Sequence, residues 1–225
     1  MQTPTLANLL ENMHKLAYEA LKLWHVPPNS KVRLLNVSEN ITFLIEAISG
    51  YKAILRVHRT KYHSERGIEC ELAWLDALSE DKVINAPKYY LGKDGQAIQK
   101  VIDSASGQTR CLVLFEFIKG TTPDDSGDLT NSFKELGTFA AKCHIHSVGW
   151  EKPAPFERLV WDCETILGSN PIWGNWRDGP EVTKTVQKTL EQVESCVHKR
   201  LARYGKSKTR FNLIHADMRL SNLLV

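Results

Sequence analysis

Apolar positions along this 225-residue chain recur first at helical spacing, then at strand spacing, then at helical spacing again. Leu6, Leu9, Leu10, Met13, Leu16, Ala17, Ala20 and Leu21 fall on one helical face. Thr3-Pro4 suits the cap and first turn of that helix, and Val26-Pro27-Pro28-Asn29 stops it. From Lys31 the period changes. Val32, Leu34 and Leu35 open a strand, and Ser38-Glu39-Asn40 is a polar turn. Thr42 to Ile48 is a second strand, Ser49-Gly50 a second turn, and Lys52 to Val57 a third strand. Turns this short predict an antiparallel meander.

Helical spacing returns over residues 64–80, with Ile68, Leu72, Leu75 and Leu78 on one side. Tyr89 to Leu91 and Ala97 to Val101 read as short strands around the turn Lys93-Asp94-Gly95. Cys111 to Ile118, apolar except for Glu116, predicts a buried strand. The stretch from Lys119 to Asp128, rich in Gly, Thr, Pro and Asp, is the strongest linker signal. Ser132 to His146 is helical, with Phe133, Leu136, Phe139, Ala140 and Cys143 as its expected buried stripe. Residues 151–180 carry four prolines and three tryptophans and read as irregular. Val182 to Tyr204 is a long helix with Val186, Leu190, Val193, Val197 and Leu201 expected inward, ended by Gly205. Finally, Leu213-Ile214 and Leu223-Leu224-Val225 read as two buried strand ends around a polar loop. The fold class is α+β: a strand-rich part over 1–118 and a mainly helical part over 119–225.

Composition narrows the function only slightly. Hydrophobic content of 42% and charged content of 24% are ordinary for a globular protein. A net charge of +3 is too small to argue for nucleic acid as a partner. No apolar run approaches a membrane span, and the N-terminus lacks a basic segment followed by an apolar one, so a cytoplasmic protein with no membrane partner is expected. The five cysteines are odd in number and form no C-x-x-C pair, which predicts free, mostly buried thiols. Nothing in the chain signals an oligomeric state.

The candidate chemistry is concentrated in the last loop, His215-Ala216-Asp217-Met218-Arg219-Leu220-Ser221-Asn222. A carboxylate in a loop between buried segments can take a proton from a hydroxyl, and a carboxamide five residues on can offer its oxygen to a hard cation. This H-x-D-x-x-x-x-N spacing is that of a kinase catalytic loop, with the Asp as base and the Asn on Mg²⁺. Arg219 could stabilise charge on a transferring phosphoryl group, or simply pair with local acids. Upstream, alternation puts Arg56 on the same face of its strand as Ile54. Glu71 lies beside the Leu72–Leu75 stripe and could reach inward to Arg56. A strand cation, a helix glutamate and a His/Asp/Asn loop thus follow in the order that phosphoryl transfer uses.

With that order, the chain resembles the aminoglycoside phosphotransferase and choline kinase group, the small-molecule branch of the protein-kinase-like fold. The resemblance is carried by Ser38 to Phe43, Ile54 to Arg59, Glu71 to Leu75, Phe115 to Gly120, Leu136 to His144, and Ile214 to Asn222. It implies two lobes: residues 1–118 as an N-terminal helix plus a nucleotide-binding lobe, an antiparallel sheet with one helix, and 119–225 as a mainly helical lobe holding the catalytic loop. It implies ATP as donor, Mg²⁺ as cofactor and a small-molecule hydroxyl as acceptor. Asp217 would be the base and Asn222 a Mg²⁺ ligand. Arg56 would grip phosphate, steered by Glu71. The backbone of Glu116, Phe117 and Ile118 would meet adenine, and Ser38 and Asn40 would lie over the phosphates.

Three departures from the family pattern matter. The phosphate loop lacks G-x-G-x-x-G, which weakens a protein-kinase reading. Arginine stands at position 56, where lysine is usual; the charge is the same and the geometry different. The family's next strand, with an Asp for a second metal site, does not follow Asn222, so the C-terminal part is expected to be incomplete and turnover by this chain impaired. ATP consumption compared with a version extended to the next stop codon tests that expectation. Trp161, Asp162, Glu164, Trp173 and Trp176 fall where the family usually builds its acceptor site; aromatics with acids would suit a cationic acceptor, although packing of the three tryptophans in an irregular segment is the stronger explanation. Rival readings are a metal hydrolase using His144, His146, His215 and Asp217, a non-catalytic nucleotide-binding protein, and a protein kinase. The hydrolase is disfavoured because i and i+2 do not share a helical face.

Overall fold

A computed structural model describes residues 6–123, 127–219 and 222–224. Thr3-Pro4, linker residues Asp124 to Ser126, Leu220-Ser221 and Val225 lie outside the described residues. Two compact units form, one of Met1–Cys143, Glu151–Arg158 and Ala216–Val225, the other of His144–Trp150 and Leu159–His215.

The first unit is built on an antiparallel sheet of six strands: β1 Lys31–Val37, β2 Asn40–Glu46, β3 Lys52–His58, β4 Tyr89–Tyr90, β5 Gln99–Ile102 and β6 Thr109–Glu116. Their order is β1-β2-β3-β6-β4, with β5 also paired to β6. Two helices cover it, α1 Leu6–Ala20 and α2 Glu65–Glu80. Alternation along the strands decides which side chain meets which helix. Ala53, Leu55 and Val57 of β3, with Leu112 and Leu114 of β6, pack with Met13, Leu16, Ala17 and Trp24 on one face. Ile54, Val113 and Phe115 pack with Ile68 and Leu72 of α2 on the other. Burial on both faces is why the middle of β6, Leu112 to Phe115, reads as an unbroken apolar run. Phe43, at 1% exposure, is among the larger core side chains, and its burial stabilises the unit by about 2–3 kcal/mol.

Several boundaries differ from the sequence expectation. β2 begins at Asn40 and ends at Glu46, so Ala47 and Ile48 turn, and Ile48 is fully exposed. The Gly50 N–H bonds the Ala47 carbonyl at 3.0 Å, and Gly50 adopts φ +86° to close that turn. β6 likewise starts and stops two residues early, leaving Phe117 and Ile118 in the following segment. In both strands a run of apolar letters marks the strand without marking its ends.

α2 starts where its chemistry says it should. Ser64 caps it, its Oγ accepting from the Gly67 N–H at 2.9 Å. Ser64→Ala is expected to lower stability by about 1 kcal/mol, read from chemical denaturation.

α3 spans Thr130–Gly149 and α5 Lys184–Tyr204, where helices were expected, but their stripes are not covered as expected. Phe133 and Phe139 are 50% and 46% exposed, while Cys143 is buried. On α5, Val186, Val193 and Leu201 are all exposed. Periodicity reports that a helix has an apolar face and says nothing of what covers it. Within the second unit, α4 Cys163–Leu167 is short, and Asp162 closes a capping box on it. The expected strands at Leu213-Ile214 and Leu223-Leu224 are absent among the described residues, and Ile214 and Leu224 are exposed. Of the cysteines, Cys70 and Cys143 are buried, Cys111 and Cys163 half-buried and Cys196 exposed, so fewer thiols are buried than expected.

Candidate active site

The parity of β3 that buries Leu55 against α1 turns Arg56 toward α2, beside Ile54. On α2, Glu71 follows Ile68 by three residues and precedes Leu72, both buried on the sheet side. The two side chains meet: Arg56 Nη1 donates to Glu71 Oε1 at 2.8 Å. The Arg56 guanidinium also lies over the Phe115 ring, 4.8 Å from its centre, within reach of a cation–π contact.

The other oxygen of Glu71 is occupied as well. Arg158 Nη1 reaches Glu71 Oε2 at 3.2 Å and the Gly67 carbonyl at 2.9 Å. Arg158 belongs to a strap, Glu151–Arg158, laid along α2. The Arg66 Nε–H donates to the Pro155 carbonyl at 2.7 Å, and the Glu157 N–H reaches Cys70 Sγ at 3.4 Å. Ser64 Oγ also bonds the Glu157 carboxylate. Burial by itself pushes a carboxyl up; at Glu71 the charges of Arg56 and Arg158 outweigh it and hold the group below its ordinary value. Glu71 is therefore ionised at neutral pH and shared by two guanidiniums. Glu71→Ala takes the carboxylate from both cations, leaving Arg158 only its Gly67 carbonyl, and the expected loss is about 2 kcal/mol by chemical denaturation, reduced from a fully buried case because all three groups keep some solvent contact.

Sequence reasoning missed Arg158. It lies 87 residues from Glu71 in an irregular segment, so no local pattern marks it. It also missed His58, whose signal was available: two residues after Arg56, it shares that face of β3. His58 is 3% exposed, and neither ring nitrogen has a hydrogen-bond partner. Burial, then the nearby Arg56, pushes it down to about 4. His63 is pushed down too, by burial and then by Arg158.

The last loop also gathers its own residues. Asn222 Nδ2 donates to Asp217 Oδ2 at 2.6 Å and to the Asp217 carbonyl at 3.2 Å. Arg219 Nε lies 3.4 Å from Asp217 Oδ1. The Asn222 N–H bonds the Arg219 carbonyl at 2.9 Å, tightening the turn. Ala216, at φ +67°, sits in the left-handed region, which costs a non-glycine residue about 1 kcal/mol. Such strain collects at functional loops. Among the described residues, no group of three or more His, Cys, Asp or Glu is arranged to hold a metal.

Ser38 and Asn40 lie at the β1–β2 turn, where the Ser38 N–H bonds the Asn40 carbonyl at 2.9 Å and the Arg59 N–H bonds Asn40 Oδ1 at 3.3 Å. Glu116 ends β6; its Oε1 accepts from the Lys88 N–H at 3.1 Å. Phe117 follows beneath Lys52, whose Nζ is 5.2 Å from the ring centre, and Ile118 is partly exposed. In the second unit, Trp161 packs edge-on to Trp173 at 5.4 Å. The Arg177 guanidinium covers Trp176 at 4.2 Å. Asp162 is committed: it caps α4 and bonds Lys206 Nζ at 2.6 Å, and the Lys206 hydrogen bond, then that cap, holds it down to about 2.

No helix among the described residues is long and apolar enough to cross a membrane. No curated protein matches the chain significantly. Among solved structures, the microcompartment-associated aminopropanol kinase is 40% identical, with a TM-score of 0.84 over 94% of this chain. The amicoumacin kinase in complex with AMP-PNP, Ca²⁺ and Ami is 20% identical, with a TM-score of 0.73 over 98%, and shares the fold. The chain spans 64% and 63% of those two proteins, just under two thirds of their length. Both likenesses give it the α+β fold of the small-molecule, protein-kinase-like enzymes. A family model, that of the phosphotransferase enzyme family, matches residues 32–225. The chain belongs to the phosphotransferase enzyme family.

Proposed function

We propose that this protein transfers the γ-phosphate of ATP to a hydroxyl of a small molecule. The observation that carries the reading is the 2.8 Å bond between Arg56 and Glu71, a strand cation steered by a helix carboxylate, which is the grip that phosphoryl transfer places on a nucleotide's phosphates. In this reading residues 1–118 hold the nucleotide and 119–225 carry the catalytic loop. The segment Glu116–Ile118 offers its backbone to adenine, and Ser38 and Asn40 lie over the phosphates. Asp217 accepts the proton from the acceptor hydroxyl, and Arg219, 3.4 Å from it, balances negative charge beside the reacting groups.

The donor set suits a magnesium ion. Asp217 and Asn222 bring a carboxylate and a carboxamide to one place through their 2.6 Å contact, and both carry the hard oxygens that Mg²⁺ prefers. Bound there, the ion would supply counter-charge for the phosphates. Asn222 is the residue that would hold it.

Amino alcohols are the first acceptor class to test, because the 40% identical protein is an aminopropanol kinase. Trp161 and Trp173 keep about half their surface exposed and present aromatic faces for a cationic amine, whereas Asp162 is already paired with Lys206. The test is a panel of amino alcohols, sugars and a peptide incubated with labelled ATP and Mg²⁺. Label appearing in an amino alcohol is the expected result. Nucleotide binding without transfer to any acceptor would favour a non-catalytic protein, and label in the peptide alone a protein kinase.

A further inference from the structure

A pocket of about 410 Å³ opens at the far end of β3, walled by the start of α2 and by β5 and β6. None of the residues assigned above to nucleotide, metal or catalysis lines it. Four cations do: Arg59, Lys61, Lys100 and Arg110, against a single carboxylate, Glu65. Glu65 is 3.0 Å from Lys100, and Asp103 holds Arg110 at 3.3 Å. Among the described residues, no ion pair engages Arg59 or Lys61.

The second observation is independent of charge. His58 forms part of the pocket wall, is 3% exposed, and leaves both ring nitrogens without a partner. An imidazole carries at least one N–H, and buried donors are nearly always satisfied. Surface cations alone would be solvated, and a buried histidine alone would be a packing cost. An orphaned donor in the wall of a pocket that also has two uncommitted cations calls for a ligand with several acceptor oxygens and negative charge.

We propose that this pocket binds a phosphate-bearing small molecule, with its phosphate oxygens accepting from Arg59, Lys61 and the imidazole N–H of His58. The volume exceeds that of a bare phosphate and leaves room for a small organic part. His58 stands two residues from Arg56 on one face of β3, so an occupant lies a short step from the Arg56–Glu71 pair. The site does not depend on the ATP-dependent reading.

Inorganic phosphate is the probe. It is titrated into the full chain at constant ionic strength, with chloride as the control anion, while the imidazole signals are followed by NMR. The His58 signal is assigned by its loss in His58→Gln. The expected result is a saturable shift of the His58 signal with phosphate and none with chloride. Affinity should weaken at least tenfold in an Arg59→Gln, Lys61→Gln double variant, whose folding is checked by its unchanged core signals. A His58 signal that stays still, an equal response to chloride, or undiminished affinity in the double variant overturns the proposal.

Discussion

Asp217→Asn lowers the rate of phosphoryl transfer about 10³-fold while leaving nucleotide affinity within about twofold. The carboxamide keeps the volume of the carboxylate and can still accept a bond from Asn222, which now lies 2.6 Å from it. It cannot take up a proton. General-base assistance is worth roughly 10²–10⁴ in rate, and the substitution removes that assistance. It also takes the negative charge away from Arg219, 3.4 Å off, leaving a cation without its local partner. Nucleotide binding should hardly change, because the proposed function puts the phosphate grip on Arg56 and Glu71 instead. The measurement is single-turnover transfer to the acceptor that the panel identifies, beside a nucleotide titration. A rate within threefold of the parent would remove Asp217 from the role of base. A loss of nucleotide affinity equal to the loss of rate would place it in binding instead.

The largest effect on stability should come from pH, through His58. Its folded-state value is depressed to about 4 from an ordinary 6.5, chiefly by burial and then by Arg56. Between those two values the unfolded chain binds a proton that the folded chain refuses. Unfolding is therefore increasingly favoured as pH falls through that window, and stability is full only above the unfolded value of 6.5. The integrated loss from His58 is about 3 kcal/mol by pH 4, at 1.36 kcal/mol for each pH step. Glu71 acts in the same direction in more acid solution: its depressed carboxyl lends stability above the ordinary carboxylate range and loses it as pH drops below. Denaturant midpoints measured from pH 7 to pH 4 should fall, and the His58→Phe variant should show a much flatter profile. At pH 7 that variant should be at least as stable as the parent, since an apolar ring removes two orphaned polar atoms from the interior. A parallel fall in both proteins would mean that His58 titrates normally in the fold.

The sheet and its two covering helices were legible because their signals are local. A period of two over Lys52 to Val57 and a helical stripe from Ile68 to Leu78 survive in any window of the chain, and Ser64 announces the start of α2. The Arg56–Glu71 pair was legible for the same reason: strand parity and helical phase each fix a direction, and the two directions meet. Strand ends were less legible. Ile48 is apolar and fully exposed, and the turn at Gly50 rather than the letter decided it.

Other features had no local expression. Phe133 and Val193 sit on periodic apolar stripes yet lie open, because a stripe fixes orientation on the helix and coverage depends on a surface from elsewhere. Arg158 binds Glu71 across 87 residues, and no spacing rule connects an irregular strap to a helix that far away. His58 is orphaned by what surrounds it, not by what precedes or follows it. The sequence by itself therefore determined most of the elements, though not the strands expected around the last loop, together with the family and the order of the candidate groups, since these rest on near-neighbour chemistry. Only the tertiary structure decided that Glu71 answers to two arginines, that Asp162 is spent on a cap and a lysine, and that His58 stands unpartnered in the wall of a cationic pocket. Burial and ion pairing are properties of surfaces brought together, and the chain in one dimension does not record which surfaces will meet.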